Sequence, residues 1–157
     1  MAVTATPVFA QSPNVGALCN IYTAMTNTKA NDGTEAVGTA FALVYTAGAN
    51  GSTVSQIRVR ISGRTALAAS GNSTLTVARV WINNGAVNTT ATNNTLLGEV
   101  LIPATTNPLT NGSPDYFITL PTGGLNLPAT YRLYGGIQTA VGGTNLAINI
   151  SAVGGDF

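Results

Sequence analysis

TLTVARVWINNGAVNTTATNNTLLGEVLI, residues 74–102, holds an alternating apolar run, a polar loop of Asn and Thr, and a second alternating run. In the first run Leu75, Val77, Arg79 and Trp81 share one side while Thr76, Ala78, Val80 and Ile82 share the other. That period of two belongs to a β-strand. Asn84-Gly85 then breaks the run, because both residues tolerate the positive φ of a turn. Leu96 restarts the apolar pattern, so the stretch predicts strand, long surface loop and strand, and loops of that length are frequent contact points for partners.

At 157 residues the chain suits one domain, long enough to bury roughly 70% of its unfolded surface without disulfides or metal. Its 45% hydrophobic content in repeated alternation is enough for a core and argues against disorder. The outlying quantity is charge. Only 7% of the residues are charged, against about 25% in ordinary soluble domains, and the net charge is +1. Soluble monomers ordinarily rely on surface charge, so a chain this neutral is expected to cover itself with partners as an assembly subunit. No apolar run approaches the roughly 18 residues of a membrane span, and no basic, apolar leader pattern opens the chain, so neither a membrane nor Sec-type export is expected.

Outward from the central stretch, residues 1–16 carry Pro7 and Pro13 without periodicity and are expected to be a non-regular N-terminal arm. Residues 17–157 are expected to form a single β-sandwich domain. Its strands are predicted over 17–25, 37–45, 52–62, the two runs of the central stretch, 116–120, 130–139 and 145–153. In the second strand Val37, Thr39, Phe41, Leu43 and Tyr45 are expected to share one side. The third alternates most clearly, with Ile57, Val59 and Ile61 against Gln56, Arg58 and Arg60. Asp32-Gly33, Asn50-Gly51, the turn over 111–114 and Gly142-Gly143 punctuate the strands. Eight short strands, no helical period and no tandem repeat predict an all-β fold, an eight-stranded jelly-roll-like β-sandwich, with an immunoglobulin-like sandwich as the alternative.

Chemistry is constrained by what is missing. With no histidine, the Ser-His-Asp and Cys-His classes lack their base, and one cysteine cannot supply a zinc site. Cys19, inside an apolar alternation, is expected to be a buried, inert thiol. Glu99, Asp115, Asp32, Glu35 and Asp156 are the carboxylates available for paired acid–base work. Glu99 alternates with Leu97 and Leu101, and a salt bridge to Arg79 on the neighbouring strand is its expected role. Asp32 and Glu35 offer oxygen ligands but lack the spacing of a calcium loop, and an ordinary polar turn is expected there. Arg58, Arg60 and Arg64 make a short basic stripe, read as a solvated or intersubunit face and not as a nucleic-acid track. The paired glycines at 123, 135, 142 and 154 are expected in turns or bulges. Six Asn-x-Ser/Thr triplets, at Asn50, Asn72, Asn88, Asn93, Asn111 and Asn149, follow from the Asn and Thr content alone. No catalytic, cofactor or metal residue is expected.

ALVYTAGANGSTVSQIRVR (42–60), VARVWINNG (77–85), ATNNTLLGEVLIPATT (91–106), LPATYRLYGGIQTAV (127–141) and the terminal GGDF resemble small structural proteins of tailed bacteriophages. The likeness covers residues 41–157, and departs in a polar segment over 65–73 and in Gly135-Gly136 after Tyr134. It implies a virion capsid decoration, or cement, protein made in the bacterial host cytoplasm. Its partners would be the major capsid protein and copies of itself, with a homotrimer expected, and no nucleic acid or membrane. A tail-fibre module binding host glycans is the alternative, with Trp81, Tyr131 and Tyr134 as possible stacking faces, although their strand positions favour the core. A tail-tube subunit is a third, lacking an evident inserting loop.

Overall fold

A computed structural model describes residues 12–16, 19–27, 31–63, 71–105 and 113–157. Among these residues ten strands follow one another: β1 (Ser12–Val15), β2 (Cys19–Ile21), β3 (Phe41–Thr46), β4 (Ser52–Gly63), β5 (Thr76–Asn83), β6 (Asn94–Ile102), β7 (Asp115–Ile118), β8 (Leu125–Leu127), β9 (Arg132–Ile137) and β10 (Leu146–Asp156). They form two antiparallel sheets packed as a β-sandwich. In the first, β10 and β4 are central, with β1 and β2 on the outer edge of β10 and β7 and β8 on that of β4; the second runs β3-β9-β5-β6. Among the described residues no helix is long and apolar enough to cross a membrane.

Alternation places the core. Ile57, Val59 and Ile61 of β4 and Ile148, Ile150 and Ala152 of β10 turn inward, against Ala78 and Val80 of β5 and Leu133 and Ile137 of β9. Each large aliphatic side chain so buried contributes about 1.5–3 kcal/mol. The long pair β4–β10 shifts register between Val153 and Gly154, opposite Ser55, whose Oγ donates to the Val153 carbonyl at 2.9 Å. The extra residue puts Val54 on the same inner face as Ile57.

Among the described residues ten strands stand where eight were expected, because both edge lanes of the first sheet are split in two. β4 holds β7 with residues 57–60 and β8 with residues 52–54, while β10 holds β2 with 148–150 and β1 with 153–156. On the β4 side the break falls at the bulge, between residues 54 and 57, where the bent strand departs from a straight neighbour; on the β10 side β1 pairs straight across Val153 and Gly154, and the break lies opposite Ser151 and Ala152. The expected arm boundary at Gly16 moves too. Residues 12–15, inside the predicted arm, pair with β10, where an edge position tolerates Pro13; residues 1–11 lie outside the described residues.

Two further expectations are corrected. A bulge at Val44 reverses the phase of β3, so Phe41 and Leu43 face outward while Tyr45 joins Val44 in the inter-sheet core. Gly135 and Gly136 occupy no turn but lie within β9, one on each face. A Cβ on Gly135 would stand 2.7 Å from Ile150 Cδ1, and one on Gly136 would overlap Met25 Sδ and stand 3.0 Å from Phe41 Cδ2. Both glycines admit a neighbour's bulk. Gly136→Ala is therefore expected to destabilise the fold by about 1–3 kcal/mol in urea titration. Combined with Met25→Ala, it should cost clearly less than the two single changes added together.

Candidate functional site

The two outer faces of the sandwich are treated differently by the chain. On the second sheet, Phe41, Trp81 and Tyr134 form a second apolar cluster with Met25. Phe41 and Tyr134 stack with centroids 5.3 Å apart, and Phe41 meets Trp81 at 5.5 Å and a tilt of 54°. The loop between β2 and β3 covers this cluster. Trp81 Nε1 donates to the Asn31 carbonyl at 3.2 Å, and Gly33 lies on the indole, where a Cβ would come within 2.9 Å of Cγ.

Asp32 and Glu35 hold that cover in place. Glu35 accepts from the backbone N–H groups of Thr26 and Asn27 at 2.9 and 3.0 Å, and Asp32 Oδ1 accepts from Asn27 Nδ2 and from the Thr34 hydroxyl and N–H. The Thr34 hydroxyl bond is the main cause of an Asp32 carboxyl held below its ordinary pKa. The expected polar turn is what these carboxylates form.

On the first sheet no such cover exists among the described residues. Cross-strand register sets the outward side chains of its central part in three rows: Val15, Val153 and Gln56; Ser151, Arg58 and Phe117; Asn20, Asn149, Arg60 and Asp115. Val15 is 68% exposed, Phe117 49% and Val153 43%. Arg58 and Arg60 share the single carboxylate of Asp115 at 3.8 and 3.4 Å, which leaves the face positive by one charge. Ser62 Oγ donates to Asn149 Oδ1 at 2.6 Å and Asn149 Nδ2 to the Cys19 carbonyl at 3.1 Å, so the third row is braced from behind. A hollow of about 290 Å³ opens between Val15, Asn20, Arg58, Arg60 and Asn149, and a second beside Gln56, Phe117 and Pro121. Apolar side chains set around two arginines, with amide and hydroxyl groups between them, suit a protein surface better than bulk water.

Each residue singled out in the sequence has a place. Glu99 lies opposite Arg79 in the β5–β6 ladder, with Arg79 Nε 2.9 Å from Oε2, the pairing expected. Asp115 belongs to the open face, Asp32 and Glu35 to the loop cover, and Asp156 to one end of the sandwich, so the carboxylates are dispersed. No group of three or more His, Cys, Asp or Glu side chains gathers among the described residues. Cys19 is buried, and burial pushes its thiol up to about 12. Trp81 and Tyr134 are buried and Tyr131 is half-buried against the core; Arg64 lies outside the described residues.

Val15, Phe117 and Val153 were not singled out. Their signal was present in the alternation of Phe117 with Tyr116 and Ile118 and of Val153 with Ala152, once apolar residues on a wet face are counted. Asp156 was missed as a latch. Its Oδ1 accepts from Asn14 Nδ2 at 2.8 Å and Ser52 Oγ at 2.5 Å, tying β1 to the turn after β3, where Asn14 Nδ2 also reaches the Thr46 carbonyl at 3.2 Å. No family model, curated protein or solved structure matches the chain.

The hydrogen bonds from Asn14 and then Ser52 hold the Asp156 carboxyl below its ordinary pKa. A depressed carboxylate stabilises the fold above its unfolded pKa of about 3.9 and ceases to do so as pH falls through the lower folded value. Amide protection at Asn14 and Val15, taken relative to the intrinsic exchange rate at each pH, should therefore fall below about pH 4 ahead of protection in β4. Asp156→Ala should show the faster exchange already at neutral pH.

Proposed function

We infer that the chain is a capsid decoration protein of a tailed bacteriophage, a non-enzymatic subunit that docks on the outer surface of the head between major capsid proteins and stabilises it. The observation that carries this reading is the first-sheet face, which no loop among the described residues covers, with Val15, Phe117 and Val153 exposed around Arg58 and Arg60 on a chain of 7% charged residues. The phage resemblance along residues 41–157 supplies the kind of partner. The site of action would be the virion surface, after synthesis in the host cytoplasm.

The strand order supports a jelly roll in particular. With β1 and β2 counted as one lane and β7 and β8 as another, the lanes in chain order run 1-8-3-6 in one sheet and 2-7-4-5 in the other. In that wrapping every connection except the β5–β6 hairpin crosses between sheets, which is the pattern of two interleaved Greek keys. It also brings both terminal lanes, β1 and β10, beside the open face.

A lattice-binding subunit acts through many weak contacts. Several copies joined as a homo-oligomer engage neighbouring sites at high effective concentration, and by mass action they favour the shell state that presents those sites. Purified protein is expected to co-sediment saturably with heads that lack it. Phe117→Asp and Val153→Asp, at exposed positions, should each weaken that binding at least tenfold with the protein's own Tm within a few degrees of the parent. Removal of residues 1–11 tests the arm as an anchor and leaves β1 in its sheet. Equal binding by the parent and both face variants would contradict the proposal.

One observation favours a second reading, a glycan-binding tail-fibre module: Phe117 is an exposed ring flanked by Gln56 and Arg58, suited to stacking on a sugar. Saturable glycan binding lost in Phe117→Ala, with no head binding, would replace the first reading by the second.

A further inference from the structure

We propose that β6 is a self-pairing edge, through which two copies of this chain join antiparallel about a two-fold axis and continue the β3-β9-β5-β6 sheet from one molecule into the next. β6 bonds to β5 on one side and, among the described residues, to no strand on the other. The remaining edges are interrupted. β1 carries Pro13 and stops before β2, β7 and β8 are separate short strands, and β3 spans six residues with its bulge at Val44. Interruptions of this kind protect an edge against pairing, whereas β6, although bulged at Leu97, keeps the regular run 98–102 with neither Pro nor Lys.

The register says which part of β6 is available and which occupant fits. A bulge at Leu97 leaves residues 98–102 as a regular run against residues 76–80. In that run Ile102 is buried and Val100 packs on the core, while Leu101 is 54% exposed on the outer face, where Leu75, at the entry to β5, is 53% exposed. An antiparallel edge is complementary to itself, and a two-fold axis at Val100 sets Glu99 opposite Leu101 and Gly98 opposite Ile102. Inner residues then meet inner ones and outer meet outer, as one continued sheet requires. The run's one charge, Glu99, is already held by Arg79 at 2.9 Å, so the seam brings together no unpaired like charges. Isologous two-fold contacts are also the commonest way that identical chains associate. This pairing is independent of the capsid reading, and it is two-fold where the sequence led to a trimer.

Sedimentation velocity over a concentration series tests it, with Leu101→Lys and Val100→Cys as variants of the full chain. The expected result is a particle of twice the 15.9 kDa chain mass, which L101K shifts to monomer by at least tenfold in dissociation constant with an unchanged circular dichroism spectrum. Directly opposed Cα atoms about 4.5–5.5 Å apart lie within disulfide reach, so V100C should cross-link on oxidation, with the buried Cys19 not competing. A parent that stays monomeric throughout, a particle of three chain masses, or a folded V100C dimer that does not cross-link would overturn the proposal.

Discussion

Two sheets packed face to face bury their inner sides against each other and leave two outer sides to be dealt with, and this chain has six basic and five acidic residues with which to keep them wet. An outer sheet face without charge must be covered, either by the chain itself or by something else. Most of the molecule's irregular features follow from that constraint. The β2–β3 loop is held by Asp32 and Glu35 so that it closes over Phe41, Trp81 and Tyr134, and Gly136 is bare so that the loop's own Met25 fits against it. The other face receives no such loop among the described residues. Its apolar and arginine side chains stand in three rows aligned by the same register that forms the core.

The division of labour between faces also limits what the protein can do. The aromatic side chains that would serve as a sugar platform are largely spent on the covered side, where their faces stack on one another. Carboxylates are distributed as structural ties: one pair of hydrogen-bond hubs in the loop, one ion pair on β5–β6, one shared by two arginines, and one latch between the ends of the chain. Among the described residues, what is left without a covering loop is the weakly charged outer face of the first sheet, with its shallow hollows. Such a surface gains affinity by multiplicity more than by any single contact, which fits a subunit repeated over a lattice.

Much of the fold was legible in the residues. Ile57, Val59 and Ile61 against Arg58 and Arg60 located both β4 and its wet side, and the central stretch gave β5, its loop, β6 and the Arg79–Glu99 pair. The inner and outer sides of β3 were not legible, because a bulge such as that at Val44 has no residue signature and shifts the phase of everything after it. Neither was β8, whose three residues are too few to show a period, nor β1, where Pro13 argues against a strand unless the edge position is known. Gly135-Gly136 looked like punctuation; only the packing of Met25 and Ile150 against it reveals why side chains are absent there. The open face was half legible, since its arginines declared themselves while Phe117 and Val153 were not distinguished from the other apolar residues of their strands.

The most direct test of this account is hydroxyl-radical footprinting of the protein free and bound to heads. It predicts that in the free protein Phe117 is oxidised readily while Trp81 and Tyr134 are protected, and that binding to heads protects Phe117 and leaves the other two unchanged. A reactive Trp81 in the free protein, or a Phe117 equally reactive in both states, would contradict it.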